Sequence, residues 1–326
     1  MQQDERHVAT WRTPAGLRVC VQVAEQDHDV WRRVLAEHFP DLHYLSWEAA
    51  LQAGSIDVAI VWDAKPFDLA SLRGLRHVVV RGAGVDHLLS GDAPLPSNVK
   101  IHRIIDRSVE VRMKEYVTLA VLFHFRRWER FTLHRSGQCW LNEEPSPSAA
   151  HYTVGVLGFG ALGRAICEAL LPFGFKLRAW SNSKKEMAGI GLFHGKQELP
   201  SFASGLDALV CALPITGETR RIIDRDLLAQ LNDHAHLINV GRGEHVDEDD
   251  LIAALAAGKI GLATLDVFRQ EPLPNDHPFW GNSKIILTNH TAAVPPPEEM
   301  AEAAARVLSE ALSEGCKYEV NIARGY

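Results

Sequence analysis

An arginine, a carboxylate and a histidine each follow a predicted strand in the second half of the sequence: Arg242, Glu271 and His290. In an open parallel sheet, ligands bind beyond the carboxyl ends of the strands. A planar guanidinium can bind a carboxylate through two hydrogen bonds. A carboxylate beside an imidazole favours the charged ring, which can then donate a proton. The three residues therefore predict a catalytic site that binds an anionic substrate and moves a proton, with Glu271 orienting His290.

Each of these residues also has a structural interpretation. Arg242 could be a surface arginine in a loop, and among 16 histidines any one chosen without regard to position is more often structural than catalytic. A second histidine pattern, His234-Ala235-His236, has the spacing of two metal ligands on one strand face. Because no third ligand is evident, we predict no metal site.

A glycine-rich turn lies in the middle of the chain, where an apolar strand from Tyr152 is followed by a helical pattern. Its glycines have the G-x-G-x-x-G spacing, which allows a tight turn, close approach of a pyrophosphate and close packing of the helix on the strand. The alternative is a strand-to-helix turn that binds nothing. We predict a dinucleotide site with contacts from Gly158, Phe159, Gly160, Ala161, Leu162 and Gly163. Further cofactor contacts are expected at Leu213, Pro214, Thr219, Val240 and Gly241.

The residues after the next strand bear on the choice of cofactor. Folds that prefer NAD usually place an acidic residue about 20 positions past the fingerprint, where it binds the ribose hydroxyls. Here the strand ends in Ser181, followed by Asn182, Ser183, Lys184 and Lys185. Hydroxyl and ammonium groups can bind a 2′-phosphate that a carboxylate would repel. We therefore predict NADP(H) as the preferred cofactor, with NAD(H) possible and solvated loop lysines as the alternative.

A second glycine turn, Gly82-Ala83-Gly84-Val85, follows the short apolar run Val78 to Val80. Its exposed N–H groups could hold a small carboxylate, which predicts a substrate-binding role for these four residues. A tight turn that needs glycine only for its backbone angles is the alternative.

These turns belong to two regions in which predicted strands and helices alternate, a pattern typical of parallel α/β folds. At 326 residues, the chain is long enough for two domains. A long helical pattern, Val109 to Trp128, is apolar on more than one face and so must be buried in its own domain or against a partner subunit. We expect it to form a homodimer interface. Prolines mark loops at 92–97 and 143–148, and Pro295 to Pro297 precede a final helix, Glu298 to Ser313.

The overall composition argues against several classes of function. A net charge of −7 and an isoelectric point near 6.1 give no general attraction to nucleic acid or anionic membranes. No apolar run is long enough to span a membrane, and the polar leader from Met1 to Pro14 does not match a secretory signal. The five cysteines (Cys20, Cys139, Cys167, Cys211 and Cys316) contain no C-x-x-C pair. We therefore expect a cytoplasmic protein with reduced cysteines.

Across nearly its whole length, the sequence resembles the D-isomer-specific 2-hydroxyacid dehydrogenases. The resemblance rests on Gly82 to Asp86, Gly158 to Gly163, Leu213-Pro214, Asn239 to Gly243, Leu265 to Phe268, Glu271 to Leu273 and His290. It implies an α/β fold of two doubly wound parallel-sheet domains, with a Rossmann coenzyme domain inserted into a flavodoxin-like substrate domain. The implied substrate domain is 1–105 with 292–326, and the implied NAD(P)-binding domain is 106–291.

The resemblance also implies roles for individual residues. Arg242 would bind the substrate carboxylate and carbonyl, His290 would donate the proton with support from Glu271, and Asp266 would lie near the nicotinamide. Trp180 to Lys184, Gln270 to Pro272 and Ala323 to Tyr326 are most similar to the branch of the family that reduces glyoxylate and hydroxypyruvate, which implies a short 2-keto acid as substrate. A dehydrogenase for a bulkier D-2-hydroxy acid and a dinucleotide-sensing binding protein are the alternatives. One departure from the family pattern is Asn289, where proline is usual; its loss could loosen the placement of His290.

Overall fold

The computed structural model describes residues 16–62, 69–89, 98–131, 147–313 and 316–322. The predicted loop at 92–97, most of the linker at 143–148, Cys139 and the terminal Ala323 to Tyr326 lie outside the described residues, as does the whole polar leader from Met1 to Pro14. The chain divides into two compact units, 1–109 with 295–326 and 110–294.

The first unit contains a five-stranded parallel sheet. Its strands are β1 (Arg18–Val21), β2 (His43–Leu45), β3 (Val58–Val61), β4 (His77–Val80) and β5 (Lys100–Arg103). They lie in the order β2-β1-β3-β4-β5, which is the flavodoxin-like order. All four residues of β3 are buried, as expected for a strand that is covered on both faces of a parallel sheet.

The second unit contains a seven-stranded sheet, and every strand pair in it is parallel. Its strands are β6 (Thr153–Leu157), β7 (Lys176–Ser181), β8 (Ile190–His194), β9 (Ala208–Cys211), β10 (Ala235–Asn239), β11 (Ile260–Leu265) and β12 (Ile285–Leu287). In the order β12-β11-β10-β9-β6-β7-β8, the strands β7 and β8 follow β6 on one side, and the strands from β9 to β12 are added on its other side. This arrangement is the doubly wound order of dinucleotide-binding folds. The predicted α/β fold with a Rossmann and a flavodoxin-like sheet is confirmed.

Helices connect the strands and cover the sheets. The described α-helices are His28–His38, Trp47–Gln52, Asp86–Leu89, Arg107–Phe125, Ala161–Leu170, Gly195–Ala203, Arg225–Gln230, Glu248–Ala256 and Pro297–Ala311. The acidic run at Asp247 starts a helix as predicted, since the Asp247 side chain accepts a hydrogen bond from the amide of Asp250. Leu251 and Leu255 of this helix are buried in the core beside β10 and β11.

Three elements lack a clear sequence signal. Strand β2 has only three residues, β8 contains Gly191 and has no buried residue, and the helix Gly195–Ala203 contains Pro200. Within one chain, the helix Arg107–Phe125 is buried on one face only, so burial in its own domain does not cover its whole apolar surface, and the predicted partner interface stays a prediction. Its Val117 and Val121 are fully buried, whereas the Leu119 side chain is 67% exposed.

Candidate active site

Arg242 lies in a loop that is fixed at the carboxyl end of β10. The Asn239 side chain donates to the carbonyl of Arg242 (2.8 Å) and accepts from the amide of Gly241 (3.1 Å). The amide of Arg242 donates to His245 Nδ1 (3.0 Å), and its guanidinium donates to the Gly241 carbonyl (2.8 Å). The cationic side chain is half-buried on a backbone that its own loop holds in place.

Gly243 allows this loop to pack against the segment that carries Glu271. A Cβ atom on Gly243 would lie 1.9 Å from the Phe268 carbonyl carbon and 2.2 Å from the Arg269 nitrogen, closer than any side chain could fit. The amide of Phe268 donates to Glu271 Oε1 (2.9 Å). The glycine after Arg242 therefore lets the strand ends of β10 and β11 approach each other.

Glu271 and His290 form a direct pair. His290 Nδ1 and Glu271 Oε2 are 2.8 Å apart, and the two side chains are 29% and 36% exposed. Burial raises the pKa of Glu271, but the hydrogen bonds from His290 and Phe268, together with the positive charges of His290 and Arg242, hold the pKa below its ordinary value of 4.5. Glu271 is therefore an ionised carboxylate in the neutral range, able to orient the imidazole.

Asp266, at the end of β11, organises the loop that carries His290. Its Oδ1 accepts from the Thr288 hydroxyl (2.6 Å) and the Thr291 amide (2.9 Å), and its Oδ2 accepts from the Ala292 amide (3.0 Å). The amide of His290 donates to the Asp266 carbonyl (2.8 Å). His290 itself adopts a left-handed conformation with φ 57°, which is uncommon for a residue other than glycine. These bonds hold the backbone of His290 and of the two residues that follow it.

A distant helix contributes to the same network. Tyr116 Oη and Thr288 Oγ1 are 2.7 Å apart, and burial raises the pKa of Tyr116 to about 12, so the phenol stays protonated. Sequence reasoning missed Tyr116, Thr288, Asn239 and His245. The position of Thr288 at a strand end could have identified it, but nothing in the sequence relates Tyr116 to a residue 172 positions away.

The glycine fingerprint has the geometry that an anion site requires. Gly158 adopts φ 101°, and a Cβ atom on Gly163 would lie 1.8 Å from the Gly158 carbonyl oxygen, so the helix Ala161–Leu170 packs directly against the turn. At Gly160 a Cβ atom would meet nothing within 4 Å, which leaves the turn open. No side chain caps the start of this ten-residue helix, and its first turn carries no acidic residue. The residues present therefore fit a dinucleotide pyrophosphate.

The predicted polar residues lie at the end of β7, and Glu218, which was not predicted, lies beside them. Ser181 Oγ donates to the Ser183 carbonyl (2.7 Å), and Asn182 donates to Glu218 Oε2 (3.2 Å). Lys184 is exposed. A cavity of about 380 Å³ borders Asn182, Glu218 and Arg220, away from the His290 pair. Glu218 is a negative charge beside the predicted phosphate site, and Lys196 at 3.8 Å partly offsets it.

The remaining predicted cofactor residues lie at the ends of β9 and β10. Leu213 and Val240 are buried, with exposures of 7% and 8%. The Thr219 hydroxyl donates to the Pro214 carbonyl (2.8 Å) and accepts from the Thr216 amide (2.8 Å). Thr219 therefore folds the loop that presents Leu213 and Pro214.

The Gly82–Val85 turn belongs to the first unit and follows β4. The carbonyl of Gly82 accepts from the Ile104 amide (3.1 Å), and that of Ala83 accepts from Arg103 (3.5 Å). In the part of the chain that the structure describes, the amides of Ala83, Gly84 and Val85 donate to no other group. Three adjacent N–H donors with their carbonyls turned elsewhere suit a carboxylate.

Two further findings concern other kinds of site. Across the described residues, no three or more histidine, cysteine, aspartate and glutamate side chains form a group that could hold a metal ion. None of the described helices combines the length and apolar character needed to cross a membrane.

Comparisons with known proteins agree on one family. The sequence model of the D-isomer specific 2-hydroxyacid dehydrogenases, NAD binding domain, matches residues 117–292. A glyoxylate/hydroxypyruvate reductase A of Yersinia enterocolitica is 36% identical over 301 residues, which cover 91% of this chain and 96% of that protein.

Solved structures are similar over the whole fold. A D-isomer specific 2-hydroxyacid dehydrogenase of Xanthobacter autotrophicus Py2, in complex with NADPH and MES, has a TM-score of 0.87 at 35% identity, covering 96% of this chain and 100% of that chain. An NADPH-dependent glyoxylate/hydroxypyruvate reductase of Sinorhizobium meliloti, in complex with NADP and sulfate, has a TM-score of 0.87 at 30% identity with the same coverage.

Proposed function

The chain belongs to the D-isomer-specific 2-hydroxyacid dehydrogenases, which are NAD(P)-dependent oxidoreductases, and we propose that it reduces a short 2-keto acid of the glyoxylate or hydroxypyruvate type with NADPH. The observation that carries the proposal is the 2.8 Å pair of His290 and Glu271 in the same unit as Arg242. A protein that only sensed the dinucleotide would need neither a proton donor nor a residue that orients it.

The residues of the site have distinct tasks in the proposed reaction. Because Nδ1 of His290 is engaged by Glu271, the other ring nitrogen, Nε2, carries the proton to the carbonyl oxygen of the substrate. Arg242 binds the substrate carboxylate and supplies positive charge where negative charge develops on that oxygen. In the first unit, the amides of Ala83, Gly84 and Val85 offer hydrogen-bond donors for a carboxylate, and Gly82 completes this turn.

The cofactor would be held by the second unit. The amides at Gly158 to Gly163 would bind the pyrophosphate, Ser181 to Lys184 the 2′-phosphate, and Leu213, Pro214, Val240 and Gly241 would line its path. When bound, the reduced nicotinamide supplies the hydride for the carbonyl carbon. Asp266, through Thr288 and the amides of Thr291 and Ala292, holds His290 in place. Two of the similar structures are complexes with NADPH or NADP, which supports NADP(H) as the cofactor, with NAD(H) as a weaker alternative.

A steady-state assay tests the proposal. The purified protein is given NADPH or NADH with glyoxylate, hydroxypyruvate, pyruvate and bulkier 2-keto acids. We expect the highest kcat/KM for glyoxylate or hydroxypyruvate with NADPH. A preference for large keto acids would instead indicate a dehydrogenase for bulkier D-2-hydroxy acids. Cofactor binding without turnover of any keto acid would indicate a dinucleotide-sensing protein.

We also propose that the protein is a cytoplasmic homodimer. Leu119 of the helix Arg107–Phe125 is 67% exposed, and Trp128 and Phe131, just beyond it, are 60% and 51% exposed. Large apolar side chains concentrated in one segment are typical of a protein interface. Light scattering after size exclusion should give a mass near 72 kDa, twice the 36.2 kDa of one chain. Substitution of Leu119 by Glu should shift it to the monomer.

A further inference from the structure

Trp62, the first residue after β3, packs directly on the predicted carboxylate-binding turn. A Cβ atom on Gly82 would lie 2.4 Å from Trp62 Cζ3 and 3.3 Å from Cε3 and Cη2. Gly82 does not adopt a left-handed conformation, so its backbone angles do not require glycine. It is the indole ring that excludes any larger residue at this position.

Neighbouring side chains hold Trp62 in this place. The amide of Trp62 donates to Gln22 Oε1 (3.0 Å), and the Trp62 carbonyl contacts Nε2 of His87. The His87 and Trp62 rings lie 5.0 Å apart, tilted by 35°. His87 is the second residue of the short helix Asp86–Leu89, which begins directly after Val85. The residues on both sides of the turn are therefore tied to one aromatic side chain.

We propose that Trp62 determines which 2-keto acids bind at the Gly82–Val85 turn and that His87 is its positioning residue, an inference that rests on the proposed function. A carboxylate on the amides of Ala83, Gly84 and Val85 lies beside the residue that the indole covers. The indole occupies the space over Gly82 that a branched or aromatic C3 substituent would need. The backbone of Trp62 is held through its amide and its carbonyl, and its ring packs beside His87 and over Gly82, so the indole moves aside only with loss of this packing. Trp62 therefore favours substrates with a small C3 group.

Substitutions at Trp62 test the specificity directly. In Trp62→Ala, the ratio of kcat/KM for phenylpyruvate to kcat/KM for glyoxylate should rise at least about tenfold, as expected when a few carbon atoms are removed from a pocket wall. Trp62→Phe should give a smaller rise in the same direction. Trp47→Phe makes the same chemical change in the core of the same unit and should leave the ratio unchanged.

The role of His87 requires a readout that general destabilisation would not change. His87→Ala should shift the substrate ratio in the same direction as Trp62→Ala, through KM more than kcat. His87→Gln keeps a side-chain donor for the Trp62 carbonyl and should restore most of the original ratio. Equal loss for all substrates in His87→Ala, without rescue in His87→Gln, would contradict a positioning role.

A double-mutant cycle tests the contact itself. Gly82→Ala forces a methyl group into the ring and should raise KM for glyoxylate severalfold, whereas in the Trp62→Ala background the same change should cost little. Additive effects would overturn the proposed contact. If the wild-type protein turns over no 2-keto acid, the proposed function fails. If it turns over glyoxylate but folded Trp62→Ala and Trp62→Phe keep the wild-type ratio, the proposed function stands and this inference is wrong.

Discussion

Two histidines of the second unit, His236 and His290, belong to the same parallel sheet but have opposite surroundings. His236 is fully buried near the amino end of β10, where its Nε2 lies 2.9 Å from the Thr264 hydroxyl and its ring is 4.9 Å from that of His124. Burial, reinforced by His124, holds the pKa of His236 well below its ordinary value. His290 follows β12, is 29% exposed, and pairs with a carboxylate.

The difference shows which features separate a structural histidine from the histidine that we propose as proton donor. Backbone conformation does not, because His234, beside the buried cluster, has φ 61° and His290 has φ 57°. The two kinds of histidine differ in the hydrogen-bond partner of the ring and in its exposure to solvent. His124 and His236 lie beside hydroxyls, Tyr152 Oη at 2.8 Å and Thr264 Oγ1, inside a core whose burial lowers the pKa of both rings. His290 is partly exposed and meets the ionised carboxylate of Glu271, which can orient the ring.

The strongest test of this contrast is removal of the exposed histidine. His290→Ala should lower kcat by about 10³-fold, because a positioned proton donor typically contributes that order of rate. The affinity for NADPH and the melting temperature should change little, since His290 lies outside the core. Steady-state kinetics measures kcat, fluorescence titration measures the affinity for NADPH, and thermal denaturation measures the melting temperature. Retained turnover would mean that another group supplies the proton.

A smaller loss is expected when only the partner of His290 changes. Glu271→Gln keeps the shape of the side chain and the bond from Phe268 but removes the carboxylate charge that holds the imidazole of His290. We expect kcat to fall by roughly 10²-fold. Glu198→Gln is a matched control, because it neutralises a carboxylate of the same unit that pairs with another histidine, His194, at 3.2 Å. Similar losses in both variants would contradict a specific role for Glu271.

The buried histidines should make the free energy of unfolding depend on pH in the acid range. Burial lowers the pKa of His124 to about 4, so between pH 6.5 and 4 the unfolded chain binds a proton that the folded chain does not. The free energy of unfolding should therefore fall as pH drops through this range, by roughly 3 kcal/mol for this residue. Glu271 acts in a lower window, because its depressed pKa keeps its contribution intact until the pH falls below about 4.5.

Urea denaturation at several pH values measures this slope. His124→Phe keeps an aromatic ring without a titrating group, so the slope between pH 6.5 and 4 should become shallower. An unchanged slope in His124→Phe would mean that this ring is charged when buried.

The smallest effect is expected away from both histidines. Ser181→Asp places a carboxylate where we propose that the 2′-phosphate binds, so the ratio of kcat/KM with NADPH to that with NADH should fall about tenfold or more, while kcat with NADH stays close to wild type. Ser183→Ala removes a hydroxyl without adding charge and should shift the ratio less. An unchanged preference in Ser181→Asp would place the phosphate elsewhere.

Sequence reasoning found the positions that obey strong local rules. The strand-end rule selected Glu271 and His290, and the structure brings them within hydrogen-bonding distance. The glycine spacing located the turn at Gly158, because close packing there permits no other residue. By contrast, β8 was missed because its residues are only partly buried or exposed and leave no apolar pattern. The bond between Tyr116 and Thr288 depends on the tertiary fold, which no local pattern encodes.

The four hydrogen bonds at Asp266 also determine how the loop after β12 moves. The amides of His290, Thr291 and Ala292 are all engaged by this one residue, which is itself bonded through its amide to the Asn239 carbonyl of β10. A loop bonded in this way opens only when its hydrogen bonds to Asp266, at the end of β11, are broken. Amide hydrogens of residues 290–292 should therefore exchange with solvent as slowly as those of the central strands. The proposed proton donor is carried by a loop, but we expect that loop to share the cooperative unfolding of the sheet.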